Sequence, residues 1–381
     1  MIQQFNYPTM IKFGAGAIKL VPQTLKQRGA KRPLIVTDRD LAVTPMVGDL
    51  QLSLSQVGLI PAVFGGATSN PVETQVKEGV AAYHEHGGDC LVIIGGGAAL
   101  DVGKSIALMI NHPGHLFNYE EGRSDGRPVD QPIPFMIAVP TTAGTGSEVG
   151  RSMVIADAVS HVKRIIFDPK LLPPLVIADP ELTYGLPAAM TAAVGFDALT
   201  HNIEAFLAHE WHPIADGIAL EGVRLIALNL LTAVREPTNL TARGGMQMAS
   251  IMGAVASQKG LGVTHSCAHA LSSVFDTHHG LANAMMLEPC MEFNRACCEE
   301  CLARLGQAVM VPATNTSELA SGFLRWLRAL KHDVGLPPRL GPLDATTTAR
   351  LVEVAAADPC HTSNPRPVSR NDFADIFAHA M

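Results

Sequence analysis

Five apolar residues, Cys90-Leu91-Val92-Ile93-Ile94, run directly into Gly95-Gly96-Gly97 and then into the helix-forming stretch Ala98-Ala99-Leu100-Asp101-Val102-Gly103-Lys104. A strand that ends in three glycines and continues as a helix is the first half of a βαβ unit, with a tight turn at the strand's carboxyl end. Leu34–Asp38, Ile60–Phe64 and Phe135–Val139 have the same continuous apolar character, which suits parallel strands covered on both faces. Between the runs at 60–64 and 90–94 the punctuation predicts a helix, with Asn70 as N-cap, Pro71 at the first helical position, Glu73 three residues after the cap and Gly87-Gly88 as the stop. This alternation implies right-handed crossovers. Ser152–Ala156, Arg164–Phe167 and Leu175–Ala178 add further strands.

Past Asp179-Pro180-Glu181 the pattern becomes helical, dense in Ala, Leu and Met. A chain of 381 residues exceeds what one core usually supports. The expectation is therefore α/β plus all-α: a Rossmann-like dinucleotide-binding domain over residues 1–182 and a helical metal-binding domain over 183–381. Residues 311–318 read as a loop.

Lys and Arg total 28 against 35 Asp and Glu, a formal charge of −7, so neither nucleic acid nor an anionic membrane is an electrostatically natural partner. A small molecule is. Seven cysteines are too few for a disulfide scaffold and suit a reduced cytoplasm. The start, MIQQFNYPTMIKFGAG, lacks the basic and apolar regions of a signal peptide, and the apolar stretch 217–234 is interrupted by Glu221 and Arg224, so no membrane span is expected.

The glycine turn after residue 94 lets the backbone approach a diphosphate, which the following helix would meet with free N–H groups and the positive end of its dipole. Its spacing is not GxGxxG, and alone it argues only weakly. A second turn, Thr141-Thr142-Ala143-Gly144-Thr145-Gly146-Ser147-Glu148-Val149, follows the strand ending at Val139. Two such turns at strand carboxyl ends reinforce each other. Asp38, ending the first of these runs, suits the hydroxyls of an adenosine ribose and would repel a 2′-phosphate, favouring NAD over NADP.

In GFDALTHNIEAF, Asp197 and His201 stand four residues apart on one helix face, and His265 and His269 in GLGVTHSCAHALSSVFDTHHGLANA repeat that spacing before His278-His279-Gly280. One such pair is commonly a helix-face hydrogen bond. Two pairs plus a third histidine source suit a divalent metal such as Fe2+ or Zn2+. His84, His86, His112, His115, His161, His209, His212, His332, His361 and His379 lack comparable partners and read as surface or loop residues.

Taken in order, GGGAALDVGK, TTAGTGSEV, GFDALTHNIEAF and GLGVTHSCAHALSSVFDTHHGLANA resemble the motifs of the iron-containing (group III) alcohol dehydrogenases, and the likeness extends from Phe13-Gly14-Ala15-Gly16 to about residue 330. The resemblance implies an amino-terminal dinucleotide-binding domain, a helical second domain and an active site in the cleft between them. It implies metal ligands Asp197, His201, His265 and His279, with His269 as the catalytic substrate or proton-relay group. It places NAD against Asp38, Gly96, Gly97, Ala98, Thr141, Thr142 and Ser147, with Asp101 and Lys104 nearby, and it implies a homodimer.

Several positions depart from the family pattern. Ala98 stands where a serine is common, His278 where proline commonly precedes the last ligand, and Ala256 where many members carry a bulky aromatic near the substrate, which implies a wider pocket. Lys259 also replaces a usually small residue. Either His278 or His279 could be the ligand on spacing alone; Gly280 favours His279.

The implied activity is NAD- and metal-dependent hydride transfer between an alcohol or aldehyde and nicotinamide, with iron preferred because it leaves room for the substrate oxygen. Two alternatives stay within reach of the same plan: a dehydroquinate synthase-like lyase, and a reductase of an acidic semialdehyde or oxoacid whose tail Arg151, Lys163 or Lys259 would receive. A catalytically silent metal-binding protein would not need both glycine turns. Cys290, Cys297, Cys298 and Cys301 lack a partner cluster with zinc-site spacing and read as ordinary free cysteines on a helix.

Overall fold

The computed structural model describes residues 9–160 and 162–381, so His161 and the segment 1–8 lie outside the described residues. The elements in chain order are β1 (Met10–Phe13), α1 (Val21–Gln27), β2 (Pro33–Asp38), α2 (Arg39–Ala42), α3 (Pro45–Gln56), β3 (Ala62–Ala67), α4 (Glu73–His86), β4 (Cys90–Gly95), α5 (Gly97–Met109), β5 (Phe135–Pro140), β6 (Ser152–Ala156), β7 (Lys163–Phe167) and β8 (Leu175–Ala178). Helices follow: α6 (Ala188–Leu207), α7 (Pro213–Arg235), α8 (Leu240–Ala256), α9 (Val263–Phe275), α10 (His279–Ala308), α11 (Thr316–Asp333), α12 (Ala345–Ala357) and α13 (Arg370–Ala380). Two compact units result. The first holds the described residues up to Thr142 with Gly146–Thr183; the second holds Tyr184–Met381 and, unanticipated from the sequence, Ala143–Thr145.

The first unit is built on a six-stranded parallel sheet in the order β1-β8-β5-β4-β2-β3, with β6 and β7 forming a separate antiparallel ribbon. All of β4 is buried, as its unbroken apolar sequence requires. The chain moves outward from β2 to β3 and then returns to place β4 on the other side of β2. The strand order therefore reverses between β2 and β4, and the loops flanking that reversal are where an open α/β sheet binds ligands.

The anticipated helix start at Asn70-Pro71 is corrected: Val72 is the N-cap and α4 begins at Glu73. The backbone of 71–72 is otherwise engaged, since the Ala156 N–H donates to the Pro71 carbonyl at 2.8 Å and Val72 forms a parallel bridge with Ala156. The Ile60–Phe64 strand is likewise shifted to Ala62–Ala67. β1 is an addition to the expected strands; it pairs with β8 from Met10 to Phe13. The loop expected at 311–318 ends sooner, because Asn315 caps α11 by accepting from the Glu318 N–H.

In the helical unit α6 is the central helix. Every residue from Thr191 to Leu207 is buried, so the polar ones among them, Asp197, His201, Asn202 and Glu204 included, need partners inside the protein. α7 is long and apolar enough to cross a bilayer by composition, yet Ala215, Ala219, Gly222, Val223, Ile226, Leu230 and Ala233 are buried, the stripe of a core helix. α10 contains Pro289 and loses helical geometry at Cys298 (φ −135°, ψ 32°); the cysteines at 297, 298 and 301 lie on this helix as free thiols.

Candidate active site

At the β4–α5 junction Gly95 has φ +150°, and a side chain there would meet the Ala99 Cβ at 2.7 Å. Gly96 is the N-cap of α5 with no side-chain cap, and the first helical bond runs from the Leu100 N–H to the Gly96 carbonyl. The amides of Gly97, Ala98 and Ala99 thus precede the helical ladder and are open to an anion. A β-carbon at Gly96 would come within 3.2 Å of Thr142, so the cradle is bounded by the second turn. Asp38 caps α2 through Oδ1, accepting from the Leu41 N–H at 2.9 Å, while Oδ2 lies 3.4 Å from where a Gly95 side chain would begin. These groups fit a dinucleotide whose diphosphate meets backbone amides and whose ribose meets a carboxylate. Ala98 contributes only its amide.

Asp101, Lys104 and Ser147, expected beside the cofactor, form an internal network. The Ser147 hydroxyl donates to Asp101 Oδ1 at 2.5 Å, and Asp101 Oδ2 accepts from the Val154 N–H at 2.9 Å. Lys104, 1% exposed, donates to the carbonyls of Ser147 at 3.0 Å and Ser152 at 2.5 Å. The three side chains clamp the second turn and β6 onto α5. Burial holds the Lys104 amine below its ordinary range despite the neighbouring Asp101.

Glu148, which the sequence does not single out, lies beside this network. It is buried, its Oε1 has no hydrogen-bond partner among the described residues, and burial pushes its carboxyl up to about 7 in spite of the Lys104 charge. The ordinary value is 4.5. A carboxyl raised in the fold favours the native state below its unfolded value, and that advantage is lost as pH rises from about 4.5 through 7. The loss is of order 3 kcal/mol, at about 1.36 kcal/mol per pH unit. Glu148→Gln is therefore expected to match the parent's stability near pH 4 and to exceed it by up to about 3 kcal/mol near pH 8.5. Thermal melts at both pH values check this; an equal difference at the two would refute it.

In the helical unit the histidine motifs converge. Donor atoms of Asp197, His265 and His279 lie within 4.8 Å of one another. His279 Nε2 is 3.5 Å from Asp197 Oδ1, and the His201 and His265 rings are 4.4 Å apart edge to face. His201 Nδ1 donates to the Asp197 carbonyl at 2.9 Å, leaving Nε2 as the second ring nitrogen. His265 Nδ1 donates to Glu204 at 2.6 Å, and its Nε2 is buried with no hydrogen-bond partner among the described residues. A buried imidazole nitrogen with nothing to bond, facing a carboxylate and another imidazole, suits a divalent cation.

The electrostatics agree for Asp197 and His265. Burial would raise the Asp197 carboxyl, but the imidazoles of His201 and His279 hold it well below the usual carboxylate range. Burial and the neighbouring His201 keep His265 below the ordinary imidazole value, hence neutral and able to offer a lone pair. His201 is held above that value because Asp197 outweighs its burial.

Of the adjacent histidines, 279 is the one beside Asp197. His278 is the N-cap of α10 with φ −54°, an angle that a proline would also adopt. Gly280 is required sterically, since a side chain there would sit 2.6 Å from the Ala193 carbonyl oxygen of α6. This close approach brings the start of α10 against α6.

Four further residues of the site were not evident in the sequence. Glu204, one turn beyond His201 on α6, accepts from His265 Nδ1 and from the amides of Gly262 at 3.0 Å, Thr264 at 2.6 Å and His265 at 3.3 Å. It caps α9 and orients a candidate ligand at once. Although burial opposes ionisation, the hydrogen bonds from His265 and Thr264 hold its carboxyl below the ordinary value. Asn283 donates to Asp197 Oδ1 at 2.8 Å, and the Thr145 hydroxyl donates to Oδ2 at 3.4 Å. Asp358, at the end of α12, accepts from His269 Nδ1 at 2.7 Å and from Ser266 Oγ and the Cys360 N–H, each at 2.9 Å. Burial opposes its ionisation, but the His269 imidazole holds its carboxyl well below the ordinary range. Glu204 and Asn283 were discoverable in principle, lying on the same helix faces as Asp197–His201 and His279. Asp358 carries no such periodicity.

His269 packs its ring parallel to that of His279 at 5.2 Å between centroids. Lys259 is not available to an acidic substrate tail: it is buried, donates to the Phe206 carbonyl at 2.8 Å and pairs with Asp216 at 2.5 Å. Ala256 is fully buried at the end of α8, and the Arg151 guanidinium stacks over Phe167. His112 and His212 lie in loops, as expected of the surface or loop histidines, but both are buried. His112 Nδ1 bonds the Leu108 carbonyl while Nε2 accepts from the Gln131 N–H; His212 caps α7 by accepting from the Ala215 N–H.

Comparison with known proteins matches residues 8–180 to the model of iron-containing alcohol dehydrogenases and residues 191–381 to that of the Fe-containing alcohol dehydrogenase family, C-terminal part. The chain is 35% identical to the 1,3-propanediol dehydrogenase of Klebsiella pneumoniae across 100% of this chain and 99% of that protein. It is 37% identical to the 4-hydroxybutyrate dehydrogenase of Cupriavidus necator across 98% and 99% respectively. The crystal structure of a 1,3-propanediol oxidoreductase superposes with a TM-score of 0.94 at 34% identity, covering 100% of both chains. The lyase alternative gains no support from these matches. With a strand-order reversal bearing a diphosphate cradle and a helical unit bearing a convergent Asp/His donor set, this chain belongs to the iron-containing alcohol dehydrogenase family, oxidoreductases acting on CH–OH groups.

Proposed function

We propose that this enzyme interconverts a small neutral alcohol and its aldehyde, using NAD(H) rather than NADP(H) and Fe2+ held by Asp197, His201, His265 and His279. The observation that carries the metal assignment is the buried, unbonded His265 Nε2 within the Asp197–His265–His279 donor group. A divalent ion bound there supplies Lewis-acid polarisation of the alcohol oxygen, and bound NAD+ supplies the hydride acceptor. Asp197 contributes the negative charge that compensates a cation, with Asn283 and Thr145 donating to its two oxygens and fixing its plane. Glu204 holds the proton of His265 on Nδ1, so that Nε2 keeps its lone pair. Asp358 does the same for His269, leaving His269 Nε2 as the atom that accepts the hydroxyl proton.

Asp38 supports NAD through the repulsion its carboxylate would exert on a 2′-phosphate. Because it also caps α2, the informative substitution is Asp38→Ser, which keeps a capping oxygen and removes the charge. The ratio of kcat/KM for NAD+ over NADP+ is expected to fall by roughly tenfold or more, about 1.4 kcal/mol. An unchanged ratio would remove Asp38 from the assignment.

A neutral substrate is supported by the pairing of Lys259 with Asp216, which commits one of the three cations considered for an acidic tail. Assays of short alcohols and diols against hydroxy acids, on protein loaded anaerobically with Fe2+ and separately with Zn2+, test substrate and metal together. Greater turnover of hydroxy acids would overturn the neutral reading. Seven free cysteines support a cytoplasmic setting, and the family likeness supports a homodimer, to be measured by sedimentation.

A further inference from the structure

The contacts that orient His269 contain a second donor set of different chemistry. Donor atoms of His269, Asp358 and Cys360 lie within 4.8 Å of one another, one nitrogen, one oxygen and one sulfur. His269 comes from α9, and Asp358 caps the short turn Pro359–Ser363 that carries Cys360. All three residues are partly exposed, with the His269 and Asp358 side chains 13% and 12% accessible. Neither Asp358 nor Cys360 belongs to the Asp197–His265–His279 group.

We infer that His269, Asp358 and Cys360 form a second, inhibitory site for a thiophilic divalent cation of the Zn2+ and Cd2+ class. In a tetrahedral site with bonds of about 2.0–2.3 Å the donors stand roughly 3.5 Å apart. The His269 Nδ1–Asp358 Oδ2 pair, now 2.7 Å apart, needs only to open by the insertion of an ion where a proton sits. The sulfur sets the selectivity, because a thiolate ligand favours Zn2+ and Cd2+ over Fe2+ or Mg2+. Solvent completes the coordination.

The proton balance makes such an ion inhibitory. Cys360 releases its thiol proton to solvent on coordination, while His269 remains neutral by moving its proton from Nδ1 to Nε2. An Nε2 that carries a proton no longer accepts one from the alcohol. The binding half of this inference stands on the donor geometry alone; the inhibitory half rests on the role of His269 proposed above.

The test titrates Cd2+ into the iron-loaded, full-length enzyme and follows the ultraviolet thiolate-to-cadmium charge-transfer band, bound iron and activity together. The expected result is a saturable band, loss of activity with iron retained, and recovery on brief chelation. Cys360→Ser is expected to abolish the band and weaken inhibition at least tenfold, whereas Cys297→Ser, which removes an exposed thiol, changes neither. A readout that needs no variant is protection: bound Cd2+ should block alkylation of Cys360, located by peptide mass spectrometry. A band that survives in Cys360→Ser, alkylation of Cys360 unaffected by Cd2+, or inhibition that tracks loss of iron would each overturn the site. A band that vanishes in Cys360→Ser without inhibition of the parent enzyme would establish the site and refute the role of His269.

Discussion

Replacing His265 with alanine is expected to lower metal affinity by more than roughly 100-fold, beyond the 10–100-fold typical of losing an outer partner of a ligand, and to remove turnover with it. The fold should survive. Glu204 would lose the imidazole but keep the backbone amides of Gly262, Thr264 and position 265, so α9 remains capped. A neutral imidazole that burial keeps below its ordinary value also contributes little charge to the balance around Asp197. Metal content after dialysis, circular dichroism and activity with any short alcohol make the measurement. A well-folded variant that retains a full equivalent of metal would remove His265 from the ligand set and leave its buried, unbonded Nε2 without explanation.

Glu204→Gln should have the next largest effect, and it separates two functions of one carboxylate. Thr264 donates to Oε1, while Gly262, His265 and the His265 ring donate to Oε2. An amide presents donors at one of those two positions, so at least one N–H loses its acceptor inside the protein, a cost of about 1–3 kcal/mol. The tautomer of His265 is also released, which should weaken metal binding roughly 10–100-fold. Melts of the metal-free protein read the first effect and competition with a chelator reads the second. Metal affinity within twofold of the parent, alongside a lowered melt, would mean that Glu204 only caps α9.

Much of the candidate site is legible in the amino-acid sequence, for a definite reason. Asp197 with His201, and His265 with His269, are four residues apart on single helices, and a helix places such residues on one face whatever surrounds it. The triple glycine is equally readable, because a strand of five apolar residues leading into it leaves few conformations for the turn. Lys259 shows where such reading ends. As a cation near the histidine motif it is a candidate for an acidic substrate, yet it is buried against Asp216, 43 residues earlier. Asp101 and Lys104 on α5, and Ser147 in the second turn, likewise stand beside ligand-like turns while their polar atoms face inward. Residue type announces that a charge needs a partner, but only packing decides whether that partner is a ligand or the chain itself.

From the sequence alone come the α/β-then-helical order, the strand-to-glycine cradle, and the side chains sharing each helix face. These follow from periodicities of two and 3.6 residues and from the steric freedom of glycine, which act within a few residues of chain. Tertiary structure alone decided that β2 and β4 adjoin across the strand-order reversal, and it put His279, which Gly280 had favoured, 3.5 Å from Asp197. It also decided that Glu204 and Asp358 hold the two imidazoles of α9, across 61 and 89 residues of chain. A hydrogen bond over such a separation has no local period to betray it; it exists because separate helices bury their apolar faces together and bring the polar exceptions on those faces into contact.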